Sequence, residues 1–217
     1  MVSVPSAYAN NDRQRIALCV PVRDHVSVMF TRSLANMMQK CGQEQKPVTL
    51  HMNYGSNIVS QRYELAKEAL ATRADFLLWI DSDMHFPSDL IDKLLNRKAK
   101  LIGVPYATRV RPIRSTAFRS NLDYNARLNN SVDPSGLEKV AGLGFGCVLI
   151  HRSIFEATDA PWFGLKFDPS TASVMGEDIY FFEKAAEAGF QCYADFELAK
   201  NVAHIGGKAY TLEDIEE

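Results

Sequence analysis

Two carboxylates one residue apart, in Asp81-Ser82-Asp83, follow directly on the most apolar run of the chain, Phe76 to Ile80. In an open α/β sheet ligands bind beyond the carboxyl ends of strands, so both acids are aimed at the expected site. Their chemistry is that of hard oxygen ligands, which take Mg2+ or Mn2+ and usually share the ion with substrate phosphates. Asp83 is the candidate for direct coordination; Asp81 would serve a ribose or a metal-bound water. Capping of a helix ahead of Pro87 is the simpler use of this stretch, but a cap needs one acid rather than two.

Three further groups carry possible chemistry. Gly176-Glu177-Asp178 opens a run with Ile179, Phe182 and Ala186 at helical spacing, and a carboxylate fixed at a helix start can take a proton from an acceptor hydroxyl. Acids in a first turn also stabilise the helix dipole with no catalytic role. His204, followed by Ile205-Gly206-Gly207, offers an imidazole to a carboxylate metal site, and the glycines would let the tail fold across a ligand. Gly142, Gly144 and Gly146 precede the apolar run Cys147 to Ile150. A dinucleotide loop follows a strand and opens a helix, whereas here a strand comes after, so close approach of Gly144, Phe145 and Gly146 to a sugar or acceptor is the better functional reading and tight packing the structural one. Finally, Lys93 to Leu122 contains no acidic residue but eight basic ones, among them Arg109, Arg111 and Arg114. Such a run holds a diphosphate or an anionic acceptor, or forms a solvated face.

The elements that must position these groups alternate. Ile16 to Val20 reads as a buried strand closed by Pro21, which cannot donate to a ladder, and its end delivers Arg23 and Asp24 to a loop. Val28 to Cys41 is a helix stopped by Gly42, Val48 to Met52 a strand, Tyr54 to Asn57 a turn, and Ile58 to Leu70 a helix. Phe76 to Ile80, a helix from Pro87 to Leu95 and a strand from Leu101 to Val104 complete a βα series. The series predicts an α/β fold with a mostly parallel sheet and helices on both faces. Residues 106–140 read as an irregular or hairpin excursion. Val140 to Ile150, a short helix from Ser153, a helix from Glu177 to Ala188 stopped by Gly189, and a strand at Cys192 to Ala194 return to the core.

With 217 residues, 47% of them hydrophobic and 23% charged, the chain is expected to form a single globular domain. Within it, residues 1–14 are expected to be a flexible arm and 205–217 a tail that is mobile without ligand. No apolar stretch approaches the roughly 20 residues of a membrane-spanning helix. Four separated cysteines suit reduced core thiols, and with the polar N-terminus they point to the cytoplasm. A net charge of -2 argues against general nucleic-acid affinity.

An apolar strand into Asp-Ser-Asp, a glycine-rich loop, Gly-Glu-Asp at a helix start and a late His, in that order from Ile16 to about Tyr210, resemble the GT-A (Rossmann-like) glycosyltransferases. The pattern is most similar to the small glycosyltransferase family 2-like proteins of bacteria and their phages. The resemblance implies transfer of a sugar from a UDP- or GDP-type donor to an acceptor hydroxyl with inversion, with residues 15–105 as the nucleotide-binding part and 106–204 as the acceptor and catalytic part. It implies that Asp83 and His204, with Asp81 beside them, bind Mn2+ or Mg2+, that Asp178 is the base, and that Glu177 contacts a sugar. Pro21, Arg23, Asp24, Gly55, Ser56, Arg62, Asp81 and Ser82 would surround the nucleotide sugar, and Gly144, Phe145, Gly146, Arg109, Arg111 and Arg114 the sugar or acceptor. The acceptor would be a saccharide or a modified base of phage DNA. Tyr63 stands after Arg62 where such proteins often have Asn, and a long acceptor-binding extension is lacking. A nucleotidyltransferase acting on sugar phosphates would also use a carboxylate-bound metal, and a non-catalytic nucleotide-sugar-binding protein would dispense with Asp178.

Overall fold

The computed structural model describes residues 14–120, 126–169 and 172–216; the expected arm falls, except for residue 14, outside them. The chain runs β1 (Ile16–Val22), α1 (Val28–Gln43), β2 (Val48–Tyr54), α2 (Ile58–Ala71), β3 (Phe76–Ile80), β4 (Met84–His85), α3 (Leu90–Asn96) and β5 (Leu101–Gly103). There follow β6 (Ala117–Phe118), β7 (Leu137–Val140), β8 (Gly142–Leu143), β9 (Cys147–His151), α4 (Arg152–Ala157), β10 (Lys166–Asp168) and β11 (Ser173–Met175). The last elements are α5 (Glu177–Glu187), β12 (Cys192–Asp195), α6 (Phe196–Ala199), β13 (Ala203–Ile205) and β14 (Ala209–Tyr210).

The central sheet has seven strands in the order β2-β1-β3-β9-β5-β12-β7. β1 is parallel to β2 and β3, β9 antiparallel to β3 and β5, β12 parallel to β5, and β7 antiparallel to β12. Five strands therefore share one direction, and β9 and β7 oppose it. Every residue of β1 and β3 is buried, as a strand covered on both faces requires. On one face Ile16, Leu18 and Val20 pack with Phe30 and Met37 of α1 and Leu90 and Leu94 of α3. On the other, Cys19, Leu77 and Trp79 pack with Leu65 and Ala69 of α2 and Phe181 and Phe182 of α5. The α/β architecture with helices on both faces is as the alternating pattern predicts.

Several boundaries differ from the sequence expectation, each for a local reason. β1 continues through Pro21 to Val22. The Val22 carbonyl faces β2, where it accepts from Gly55 N at 3.0 Å, so Pro21 presents its missing N–H to the β3 side, where pairing already ends at Cys19. Helix α1 runs past Gly42, and the left-handed position is taken by Gln45 at φ 54°. Pro87 lies one turn ahead of α3, with Leu90 N donating to its carbonyl at 3.2 Å. Within the expected excursion, β7 joins the main sheet as its edge strand, while β6 pairs with β8. Residues 205–216 fold against the domain: β14, β13 and β4 form a small antiparallel sheet, and Ile205 N donates to the Asp83 carbonyl at 2.7 Å. All four cysteines are buried and free. Among the described residues, no helix is long and apolar enough to cross a membrane.

Candidate active site

The end of β3 is where the site begins. Ile80 is the last residue paired with β9, and the chain then turns: Asp81 N donates to the Gly146 carbonyl at 3.1 Å and Met84 N to the Asp81 carbonyl at 3.1 Å. This turn separates the two carboxylates. Asp81 receives Arg62 Nη2 at 3.1 and 3.4 Å. Asp83 Oδ2 faces His204 Nε2 at 3.3 Å and Arg109 Nη1 at 2.9 Å. The Ser82 carbonyl accepts from Ser27 N at 3.5 Å, which ties the start of α1 to the same turn.

Arg62, expected to meet the nucleotide, is instead a buried brace. Only 4% of it is exposed, its guanidinium lies 4.6 Å from the centre of the Phe145 ring, and Nη1 lies 3.2 Å from Glu177 Oε1. One cation thus links the β3 turn to the start of α5. Burial opposes its charge, but Asp81, Glu177 and Asp178 outweigh that and hold its pKa above the ordinary guanidinium value. Phe145, expected beside a sugar, is 1% exposed and packs among Trp79, Phe163, Phe181 and Phe182. The glycines around it are also packed. A Cβ on Gly144 would come within 2.6 Å of the Tyr106 hydroxyl oxygen and one on Gly146 within 2.8 Å of its ring. That hydroxyl accepts from Gly146 N at 3.2 Å. The loop is glycine-rich because Tyr106 lies across it, and the packing reading replaces the sugar-contact reading.

Helix α5 presents Glu177 and Asp178 in its first turn, behind Gly176. A Cβ on Gly176 would meet Asp178 Oδ1 at 2.7 Å, so the missing side chain is what lets the carboxylate fold back over the helix start. Asp178 Oδ1 accepts from Ile179 N at 2.8 Å. Burial and then the neighbouring Glu177 charge push the Asp178 carboxyl from 3.8 up to about 6, against the opposing pull of Arg62. Burial likewise raises Asp81, while Arg62 opposes the shift. Asp83 goes the other way: burial would raise it, but the His204 hydrogen bond and the His204 and Arg109 charges prevail and hold it below the usual carboxylate value.

Asp83 and His204 suit a divalent cation. His204 Nδ1 lies 3.1 Å from the Ala107 carbonyl, an acceptor only, so this nitrogen carries the proton. Where Nε2 carries a proton it donates to Asp83, the contact that lowers that carboxyl; where it does not, its lone pair and the carboxylate both stand open to a cation, which would take the place of the proton. Carboxylate oxygen plus imidazole nitrogen is a donor set that suits Mn2+ better than the harder, all-oxygen Mg2+. Among the described residues no three His, Cys, Asp or Glu side chains converge on one ion position. Further ligands would have to come from substrate phosphates and water.

The remaining expected residues divide. Arg23 and Asp24 are exposed beyond β1, 3.5 Å apart, and Gly55 and Ser56 stand beyond β2 at the same end of the sheet. Pro21 lies inside β1. Arg111 pairs with Glu216 in the tail, and Arg114 N donates to Thr108 Oγ1 at 3.0 Å within its own loop. The basic run is offset from outside itself: Lys93 by Asp89, Arg97 by Asp195 at 2.7 Å, and Arg109 by Asp83. Two supporting residues escaped sequence reasoning. Gln61, 6% exposed, donates from Nε2 to the Val22 and Asn53 carbonyls, both at 2.7 Å, joining the ends of β1 and β2. Tyr106 packs edge-on against the His204 ring, 5.0 Å between centres. An amide four residues after the helix cap Asn57 was the available signal for Gln61; none marked Tyr106.

No family model matches the sequence, and no curated protein matches it. Among solved structures the chain is similar to protein A197 of STIV, with a TM-score of 0.63 and 16% identity over 93% of this chain and 92% of that one. That likeness shows the fold. A Drosophila β-1,4-galactosyltransferase 7 variant in complex with manganese, UDP-Gal and xylobiose gives a TM-score of 0.46 and 15% identity, over 89% of this chain and 71% of that one. A glycosyltransferase involved in glycosylation of the major capsid of PBCV-1 gives 0.36 and 10%, over 68% and 69%. The last two likenesses are too loose to carry an argument.

Proposed function

We propose that the chain is a metal-dependent glycosyltransferase that moves a sugar from a nucleoside diphosphate donor to an acceptor hydroxyl, with inversion. One observation carries the reading. The Asp81-Ser82-Asp83 turn, His204 and the Glu177-Asp178 helix start, far apart in sequence, converge at the end of β3, with Arg62 bridging Asp81 to Glu177.

Asp83 and His204 would hold Mn2+ or Mg2+, which supplies positive charge to a departing diphosphate. Asp178 receives the proton of the attacking hydroxyl. A carboxylate with a pKa of about 6 is mostly ionised at neutral pH yet a stronger base than an ordinary aspartate. Attack, proton uptake and departure of the diphosphate balance in one displacement: the acceptor oxygen bonds to the anomeric carbon as the bond to the donor phosphate oxygen breaks. Arg62 holds Asp81 and Glu177 in register from behind and touches no substrate. Arg23, Asp24, Gly55 and Ser56 border the nucleotide at the ends of β1 and β2. Release of nucleoside diphosphate from a panel of UDP- and GDP-sugars should require Mn2+ or Mg2+ and should fall about 10²- to 10⁴-fold in Asp178→Asn. Release that continues in EDTA, or at the wild-type rate in Asp178→Asn, contradicts the reading.

A further inference from the structure

Arg109 enters the site from the basic run. Its Nη1 lies 2.9 Å from Asp83 Oδ2 and donates to the Ile205 carbonyl at 2.7 Å. The carboxylate oxygen it holds is the same one that faces His204 Nε2 at 3.3 Å. An internal cation thus rests on the oxygen that a divalent ion, bound by Asp83 and His204, would need. Two cations crowded against one partly buried oxygen repel each other, so the guanidinium and the ion compete.

Arg109 is reachable from solvent. Its side chain is 40% exposed, against 14% for His204. It is the first residue of a loop closed at its base by the Ala107–Ser115 bridge and by Thr108 N donating to the Arg114 carbonyl at 2.8 Å. The tail is shaped around its stem, since a Cβ on Gly206 would come within 2.8 Å of Arg109 Cδ. A guanidinium fork matches phosphate as well as carboxylate.

We propose that Arg109 is an exchangeable cation, neutralising Asp83 until a divalent ion takes Asp83 and His204, and then passing to the donor diphosphate, so that ion and nucleotide bind cooperatively. The proposal rests on the metal-dependent reading above and adds to it a competitor built into the chain. Removing Arg109 takes away the competitor of the ion and the partner of the diphosphate, so ion binding strengthens and nucleotide binding weakens.

The test measures Mn2+ binding without nucleotide, by electron paramagnetic resonance of the free ion, and then UDP and GDP binding at saturating Mn2+ by calorimetry. Arg109→Ala is expected to bind Mn2+ about three- to tenfold more tightly than the wild type, the range of a part-exposed charge-assisted contact. Its affinity for UDP or GDP should fall about tenfold. Arg109→Lys, which keeps the charge without the fork, should bind Mn2+ as the wild type does and still lose nucleotide affinity. Asp83→Ala should bind no Mn2+. If Arg109→Ala binds Mn2+ no more tightly than the wild type while Asp83→Ala has lost it, the exchange is overturned and the metal site stands. If neither the wild type nor Arg109→Ala binds Mn2+, both are overturned.

Discussion

The turn after β3 and the start of α5 each carry two acids, and their surroundings treat those acids differently. At the turn, Asp83 meets an imidazole and a guanidinium and is held below the usual carboxylate value. At the helix, Asp178 is buried beside Glu177 and is raised to about 6. Compensated charge suits a residue that stays ionised to ligate a cation, and crowded, buried charge suits one that must accept a proton at neutral pH. Arg62 belongs to both regions, since it pairs with Asp81 on one side and Glu177 on the other. The division of labour proposed for them thus rests on what each acid faces and is invisible in the acids themselves.

The contrast can be broken at the helix first. Asp178→Asn should lower turnover by about 10²- to 10⁴-fold, the usual contribution of a general base, with nucleotide affinity nearly unchanged. Wild-type turnover should itself decline as pH falls through about 6, where Asp178 takes up its proton, and steady-state kinetics across pH 5 to 8 checks this. A second cut removes the brace. Arg62→Ala leaves Asp81 and Glu177 facing each other without their shared cation and should cost about 3–5 kcal/mol of stability, measured by urea unfolding.

Asp178→Asn also sharpens the contrast through stability. A carboxyl whose folded pKa is raised favours folding fully below the unfolded value and loses that contribution as pH rises through the folded one, here between 3.8 and about 6. The amide cannot ionise, so the variant should be up to about 3 kcal/mol more stable than the wild type at pH 8, with the gap closing below pH 4. An inactive variant that gains stability marks a residue kept for chemistry. The smallest effect is expected behind the turn: Gly146→Ala drives a methyl to 2.8 Å from the Tyr106 ring and should cost about 1–3 kcal/mol, read as a lower thermal midpoint.

Residues whose meaning is local were legible in the sequence. Asp81-Ser82-Asp83 follows a strand recognisable from five consecutive apolar residues, and Gly176-Glu177-Asp178 opens a helix recognisable from its own spacing. The α/β alternation of the first hundred residues was legible for the same reason. What escaped depends on packing between distant segments. Nothing in the neighbourhood of Arg62 shows that it will be buried over Phe145, and nothing near Gly144 and Gly146 shows that Tyr106 fills the space their side chains vacate. The acid-free run from Lys93 looked uncompensated because Asp195, Asp83 and Glu216, which offset it, lie outside it in the chain. Pro21 reads as a strand end until it is known that the neighbouring strand stops first.

Calorimetric titration of UDP and GDP into the wild-type protein, with Mn2+ and then with EDTA, tests the metal-bound donor site most directly. Binding should be present with Mn2+, fall at least about tenfold in EDTA and in Asp83→Ala, and persist in Asp178→Asn. Equal nucleotide affinity with and without the ion would contradict the assignment of Asp83 and His204.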